Sequence, residues 1–191
     1  MLNQGALFLL DTVFGLFIIA LLLRFYLQLF RAPYGNPLSP FIIAITDFVV
    51  KPTRKIVPGL LGLDLSTLLL AWVLEFFVLS MTLWLNGMAP HPYTPATFVV
   101  LFMLSATGLI KQSIHIFMFV IIVQAILSWV NPFSPVSGVL NNLARPFLSF
   151  FSRRIPPVGN VDLSPLIVLI LFQLVLTIPV AWLESVLYSM L

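Results

Sequence analysis

The hydrophobic pattern of the chain consists of long apolar stretches separated by polar stretches that are rich in proline. A helix needs roughly 20 apolar residues to cross the hydrocarbon core of a membrane. Four stretches meet that requirement, at about 7–30, 65–88, 108–130 and 165–187. Residues 98–110 either extend the third span or lie at the membrane interface. The pattern predicts an all-α membrane protein with four transmembrane helices.

Two short motifs between the apolar stretches occur twice. Asn36-Pro37-Leu38-Ser39-Pro40 returns 95 residues later as Asn131-Pro132-Phe133-Ser134-Pro135. Asp64-Leu65-Ser66 returns 98 residues later as Asp162-Leu163-Ser164. Self-similarity at a fixed spacing is the signature of a repeated structural unit. The chain is therefore predicted to contain two tandem two-helix repeats.

Each predicted repeat consists of a span, a loop and a returning span. The first covers residues 1–90 with its loop at 31–64, and the second covers 91–191 with its loop at 131–163. Apolar residues recur at helical spacing in both loops, which predicts a short helix in each. Such a helix lies in the headgroup layer or packs against the spans. The recurring residues are Phe41, Ile45, Phe48 and Val49 in the first loop, and Val136, Leu140, Leu143, Phe147 and Phe151 in the second.

Basic residues are concentrated in the two loops. Seven of the nine Lys and Arg residues lie there, whereas Lys111 alone lies near the opposite side of the membrane. Since loops rich in Lys and Arg tend to remain in the cytoplasm, both loops are predicted to be cytoplasmic and both termini external. The seven loop residues are Arg31, Lys51, Arg54, Lys55, Arg145, Arg153 and Arg154.

All of these loop residues except Arg31 are candidates for binding, with two interpretations. Basic side chains near a membrane surface attract anionic lipid headgroups, at about 1 kcal/mol per charge. The alternative is a docking surface for an acidic membrane or cytosolic protein. Direct binding of nucleic acid is not expected, and a second copy of the chain is a further candidate partner.

The composition excludes several classes of protein. With 61% apolar and 8% charged residues, the chain has too little polar surface for a soluble globule. It has no cysteine, which excludes disulfides, thiol chemistry and Cys-ligated metals. The sequence contains no catalytic constellation, metal-ligand cluster or phosphate-binding glycine loop. We predict a protein that is not an enzyme, with no cofactor and no metal.

Three polar residues are predicted to lie within the membrane: Arg24, Glu75 and Gln173. Glu75 follows Leu65 by ten residues, or about 15 Å of helix, and so lies near the bilayer midplane. A carboxylate there is costly unless it is paired, and Arg24 is the expected partner. Glu75 corresponds to Gln173 at the 98-residue offset. The set is either an ion or proton site, or a polar clamp between helices.

Three further charges, Asp11, Lys111 and Glu184, are predicted near the outer membrane boundary. They form a structural ion cluster there, or each extends separately to the headgroups. The alternative is a gate or a substrate site.

Short polar side chains stand at the start of the returning span in each repeat. Such side chains accept hydrogen bonds from free backbone N–H groups, and an acidic one also favours the positive end of the helix dipole. The predicted helix caps are Asp64, Ser66, Asp162 and Ser164.

Both repeats carry longer patterns around these motifs. The first contains Leu22-Leu23-Arg24, Asp47, Arg54-Lys55-Ile56-Val57-Pro58 and Asp64-Leu65-Ser66, and the second contains Ala125-Ile126-Leu127-Ser128-Trp129, Arg153-Arg154-Ile155-Pro156 and Asp162-Leu163-Ser164-Pro165. With these patterns the chain resembles the YggT family of bacterial membrane proteins over nearly its whole length. One departure is Arg145-Pro146, where related repeats place an acid before the proline.

The resemblance implies a four-span protein of the bacterial cytoplasmic (inner) membrane. Plastid and cyanobacterial members imply a role in cofactor assembly of a cytochrome complex, or in nucleoid or division organisation. An enterobacterial member implies a role in tolerance of osmotic shock and in potassium uptake.

The function that we expect is a non-enzymatic scaffold or assembly factor for membrane complexes, which docks partners at its two basic cytoplasmic loops. The alternative is permeation of an ion such as potassium, or of an osmolyte, linked to osmotic stress tolerance. A haem-handling factor is a third alternative.

Overall fold

The computed structural model of the chain describes residues 2–32, 36, 38–55, 57, 59, 64–88, 94–155 and 162–191. The motif residues Pro37, Ile56, Pro58 and Pro156 lie outside this set. All regular secondary structure within it is helical. The helices in chain order are α1 (Leu2–Leu29), α2 (Leu38–Thr53), α3 (Leu65–Leu85), α4 (Pro95–Val130), α5 (Ser137–Ser152), α6 (Ser164–Val175) and α7 (Ala181–Tyr188).

Four helical segments are long and apolar enough to cross a membrane, which confirms the predicted multi-pass fold. They are α1, α3, α4 and the segment formed by α6 and α7. A π-helical turn, Leu176–Val180, joins α6 to α7 and contains Pro179. Proline cannot donate the usual backbone hydrogen bond, so a local change of helical pitch at this position is expected.

The third span begins earlier than its predicted start at residue 108. α4 is one continuous helix of 36 residues, so residues 98–110 extend the span. Its start is fixed by Thr94 and Thr97, whose side chains accept hydrogen bonds from each other's backbone N–H groups. With a length of about 54 Å, α4 exceeds the roughly 30 Å thickness of the membrane core and must be tilted or extend beyond it.

The two loop helices pack against the spans that precede and follow them, α2 against α1 and α3, and α5 against α4 and α6. Three buried positions of α2 recur as buried positions of α5 at the 98-residue offset. They are Ser39, Ile42 and Thr46 in α2, and Ser137, Leu140 and Ala144 in α5. The tandem repeat is therefore visible in the packing as well as in the sequence.

The predicted apolar face is exposed in α2 but buried in α5. Phe41, Ile45 and Phe48 of α2 are exposed, with Phe48 at 71%. In α5, by contrast, Leu140 and Leu143 are buried against the spans. The first helix thus presents an apolar surface to its surroundings, whereas the second uses its apolar face to pack.

Aromatic side chains connect the two repeats near the loop helices. Phe117 of α4 lies 4.6 Å from Tyr26 of α1 and 4.6 Å from Phe147 of α5, measured between ring centroids. Phe147 also contacts Phe30 and Phe172. We call this end of the bundle, where α2 and α5 lie, the loop side. The opposite end, where α1 begins and α7 ends, is the terminal side.

Candidate functional site

Arg24 connects the first span to the loop helix that follows it. Its side chain is buried, and its Nη1 donates hydrogen bonds to Thr46 Oγ1 over 2.7 Å and to Asp47 Oδ1 over 2.9 Å. Lys51, one turn further along α2, forms a second ion pair with Asp47, with 2.8 Å between Nζ and Oδ2. The predicted pair between Arg24 and Glu75 is therefore wrong, because Arg24 faces α2 whereas Glu75 lies against α4.

These contacts keep Asp47 ionised. The hydrogen bond from Lys51 has the largest effect and that from Arg24 the next largest, and together they hold the pKa of Asp47 below its usual value. A cleft of about 410 Å³ opens beside this network between α1 and α2. Its charged lining residues are Arg24, Asp47, Lys51 and Arg54.

A third ion pair on the loop side fixes the start of α3. Arg54 contacts Asp64 Oδ2 through Nη2 and through Nε, the latter at 3.0 Å, and Ser66 Oγ donates to Asp64 Oδ1. Asp64 occupies the N-cap position of α3, but its side chain accepts no hydrogen bond from a backbone N–H there, so the predicted capping hydrogen bond is wrong. Ser66 likewise supports Asp64 with its hydroxyl group and does not act as a cap.

The Asp64 carboxylate is stabilised in spite of its burial. Burial raises the pKa of Asp64, but the hydrogen bonds from Arg54, Ser66 and Thr67 outweigh burial, so that the pKa is lowered overall. Asp64 is therefore charged at neutral pH, and its counter-ion is Arg54. One of the predicted binding residues, Arg54, thus has a structural role.

Among the described residues of the second repeat, no ion pair joins a span to the loop helix. In its place Gln124 of α4 donates a hydrogen bond to Asn141 of α5, with 2.9 Å between Nε2 and Oδ1. Arg145 stands 98 residues after Asp47 and is exposed. The cleft beside Gln124 has a volume of only about 60 Å³. The two repeats share their packing but differ in charge.

The second Asp-Leu-Ser motif also makes contacts of its own. Asp162 Oδ1 accepts a hydrogen bond from the backbone N–H of Ser164 over 2.8 Å, at the start of α6. Ser164 is buried, and its Oγ has no hydrogen-bond partner among the residues that the structure describes. The matched aspartates therefore differ: Asp162 binds the backbone, whereas Asp64 binds an arginine.

Exposed basic side chains remain on the loop side of both repeats. Lys55, Arg145 and Arg153 are exposed, and none of them forms an ion pair within the described part of the chain. Arg154 places its guanidinium 3.8 Å from the centroid of the Phe150 ring. These four residues are the part of the predicted basic set that is not engaged in ion pairs.

A cavity of about 860 Å³ lies between the two repeats. Its walls come from α1, α3 and α4, from both loop helices, and from α7. Polar side chains extend from its terminal-side end to its middle, and its loop-side end is apolar. The polar lining residues are Glu75, Lys111, Gln112, His115, Glu184 and Tyr188.

Lys111 and Glu184 form an ion pair beside this cavity. Lys111 Nζ lies 2.8 Å and 3.0 Å from the two carboxylate oxygens of Glu184. Asp11, predicted at the same level, is exposed and takes no part in this ion pair.

Glu75 lies where α3 meets α4. A Cβ atom at Gly108 would come within 3.0 Å of the Glu75 carboxyl carbon, so the glycine provides the space that the carboxyl group occupies. Glu75 has no hydrogen bond or ion pair with any described residue, although Lys111 attracts its charge and Asp11 repels it. Gln173 does not line the cavity; it is exposed on α6, with Nε2 3.4 Å from Thr177 Oγ1. The three predicted intramembrane residues thus lie in three separate places.

Several residues of these sites were not among the predicted site residues. Thr46 and Asp47 complete the Arg24 network, and Gly108 makes room for Glu75. The sequence offers a signal for Gly108, because a glycine inside a long apolar helix often marks a close approach. Asp47 also stands out, because it is one of only two acids, with Asp64, in a loop that carries four basic residues.

Comparison with known proteins agrees with this two-repeat architecture. A sequence model of the CCB3/YggT family matches residues 3–85 and 103–183, one segment in each half of the chain. No solved structure matches the chain significantly.

Several bacterial proteins are similar over most of their length. An uncharacterised Pseudomonas aeruginosa protein, PA0392, is 34% identical over 91% of this chain and 87% of its own. An uncharacterised protein of Vibrio alginolyticus is 38% identical over 87% and 88%, respectively. The uncharacterised protein YggT of Escherichia coli K12 is 31% identical over 88% and 85%. With both halves matched and four membrane spans in two repeats, the chain belongs to the CCB3/YggT family of membrane proteins.

Proposed function

We propose that this protein is a non-enzymatic scaffold or assembly factor of the bacterial inner membrane, whose loop side docks an acidic membrane or cytosolic protein. The observation that carries the proposal is that the loop helices are fixed to the spans by buried contacts while basic side chains on the same side stay exposed. A buried polar contact between Arg24 and Thr46 holds α2 on the spans, and buried apolar side chains such as Leu143 hold α5. Lys55, Arg145 and Arg153 remain exposed on the same side.

The charge distribution supports an orientation in which the loop side faces the cytoplasm. Seven of the nine basic residues belong to the loops, and retention of such loops in the cytoplasm places both termini outside. Anionic lipid headgroups are then the nearest partners for these side chains. The exposed apolar face of α2, with Phe41 and Phe48, suits the boundary between headgroups and acyl chains.

An ordered basic surface is better suited to docking than a flexible loop would be. Fixing a loop before binding reduces the entropy that is lost when a partner associates. The second repeat adds Arg145 where the first carries Asp47, so the docking surface is more basic on the α5 half.

Charge reversal of the exposed residues tests the proposal. The triple variant Lys55→Glu, Arg145→Glu, Arg153→Glu leaves the ion pairs of Arg24 and Arg54 intact and is expected to insert normally. Proteins that co-purify with the wild type should be lost from this variant. A control with Asn86→Glu and Ser189→Glu on the terminal side should retain them. Unchanged co-purification with the triple variant would contradict docking at the loop side.

Permeation of a cation or an osmolyte under osmotic stress is the second candidate, favoured by the cavity that holds Glu75, Lys111 and Glu184. Its loop-side half is lined by residues such as Leu23, Ile42 and Leu143, which offer a hydrated ion no ligand. Liposomes containing the purified protein test this alternative. A potassium flux that Glu75→Gln alters would support permeation, and absence of flux from folded protein would exclude it.

A further inference from the structure

The cavity between the repeats is amphipathic along its length. Its lining on α4 runs from Leu104 to Val120, about 24 Å of helix. Polar groups extend from the terminal-side end to the middle, around Lys111, whereas the loop-side end is lined mainly by aliphatic side chains, including Leu27 and Leu140. Its volume of about 860 Å³ falls within the range of small-molecule sites.

The charge at the polar end is not balanced by the protein. Lys111 is bound by both oxygens of Glu184, so its charge is already matched. Glu75 has no such partner in the described part of the chain. An ionised carboxylate inside the membrane is costly without a counter-charge, and the lack of a side chain at Gly108 leaves space for the carboxyl group of Glu75 beside α4.

An aromatic side chain also belongs to the polar end of the cavity. Tyr188 lines the cavity one turn of α7 beyond Glu184, and aromatic faces attract organic cations. Among the described residues that line the cavity, Lys111 is the one Lys or Arg, whereas two residues, Glu75 and Glu184, carry carboxyl groups.

We infer that this cavity binds an amphipathic organic cation, with its charged head at Glu75 and its hydrocarbon chain directed toward the loop helices. The carboxylate supplies the counter-charge, and the aliphatic loop-side end buries the chain. This site lies between the spans and is distinct from the docking surface on the loop side.

Calorimetric titration of the protein in nanodiscs, with empty nanodiscs as the blank, tests the inference. The probe is decyltrimethylammonium. Wild-type protein is expected to show saturable binding, and Glu75→Gln should weaken it at least tenfold. Glu75→Asp should retain most of the affinity, and Gln173→Leu, at the matching position outside the cavity, should not change it. Hexyltrimethylammonium should bind more weakly than the decyl compound because it buries less apolar surface.

A neutral analogue separates recognition of charge from simple partitioning. Decyldimethylphosphine oxide has the same chain and an uncharged head, and it should bind wild-type protein at least tenfold more weakly than the cation. Equal binding of the two compounds, or equal binding of the cation by wild type and folded Glu75→Gln, would overturn the inference. Absence of saturable binding by folded wild-type protein would overturn it as well.

Discussion

Arg24 of the first span and Asp47 of the first loop helix form an ion pair of 2.9 Å that has no equivalent between the corresponding elements of the second repeat. In the second repeat the contact is neutral, from Gln124 to Asn141. The duplication has preserved the position of the loop helix, while the chemistry that holds it has diverged.

Replacement of Arg24 should destabilise the protein more than replacement of Gln124. Hydrogen bonds to charged groups contribute about 1.5–3 kcal/mol and neutral ones about 0.5–1.5 kcal/mol. Arg24→Leu should therefore lower the thermal midpoint more than Gln124→Leu, with faster hydrogen exchange in α2 and unchanged exchange in α5. If both substitutions changed hydrogen exchange in α2 equally, the ion pair between Arg24 and Asp47 would not be what holds α2 in place.

Removal of Arg54 should lower the free energy of unfolding, because it leaves the buried Asp64 carboxylate without its counter-ion. Since Arg54 is partly exposed, with 46% of its side chain accessible, we expect Arg54→Ala to destabilise the protein by about 1–3 kcal/mol. Adding Asp64→Asn to Arg54→Ala should recover part of that loss, as a double-mutant cycle can measure. The adjacent Lys55→Ala serves as the control and should change stability by less than about 0.5 kcal/mol.

Acidification should weaken the loop side before the spans. The pKa values of Asp47 and Asp64 are lowered in the folded protein. Their contribution to stability is therefore fully present above the unfolded pKa, about 3.9. It is lost as the pH falls from that value through the lower folded pKa. Thermal unfolding between pH 7 and pH 3 should show this loss for the wild type and a smaller loss for Asp64→Asn. A midpoint that rises on acidification would contradict the assignment.

The orientation of the chain can be tested with single cysteines, because the sequence has none. Lys55→Cys and Arg153→Cys should resist a membrane-impermeant maleimide in intact spheroplasts and react after lysis. Asn86→Cys and Ser189→Cys should react without lysis. Labelling of Lys55→Cys in intact spheroplasts would contradict the proposed orientation of the chain in the membrane.

The four spans were predictable from the sequence because apolar length is a local property. The start of α4 was also encoded, by Thr94 and Pro95, a pair typical of a helix start. The prediction allowed the third span only the length of one membrane crossing before Val130, and so placed its start at residue 108, whereas α4 begins at Pro95. Lys111 does not interrupt α4, because Glu184 on the neighbouring helix α7 forms an ion pair with it.

The polar contacts were less predictable because they depend on helix rotation and on distant residues. Depth along the helices suggested Glu75 as the partner of Arg24, but the side chain of Arg24 faces α2, which brings Asp47 to it. Position before a helix suggested a cap at Asp64, but Arg54, ten residues earlier in the chain, provides a stronger partner. In both cases a long-range ion pair replaced the contact that local sequence favours.

The docking of a partner on the loop side is tested most directly by site-specific photo-crosslinking in living cells. A photoreactive residue at Lys55 and one at Arg153 should capture the same protein, since the proposal assigns both residues to one docking surface on the loop side. Arg145→Glu should abolish both adducts, whereas Asn86→Glu should leave them unchanged. A photoreactive residue at Ser189 that captures the same protein, or adducts that persist with Arg145→Glu, would contradict the account.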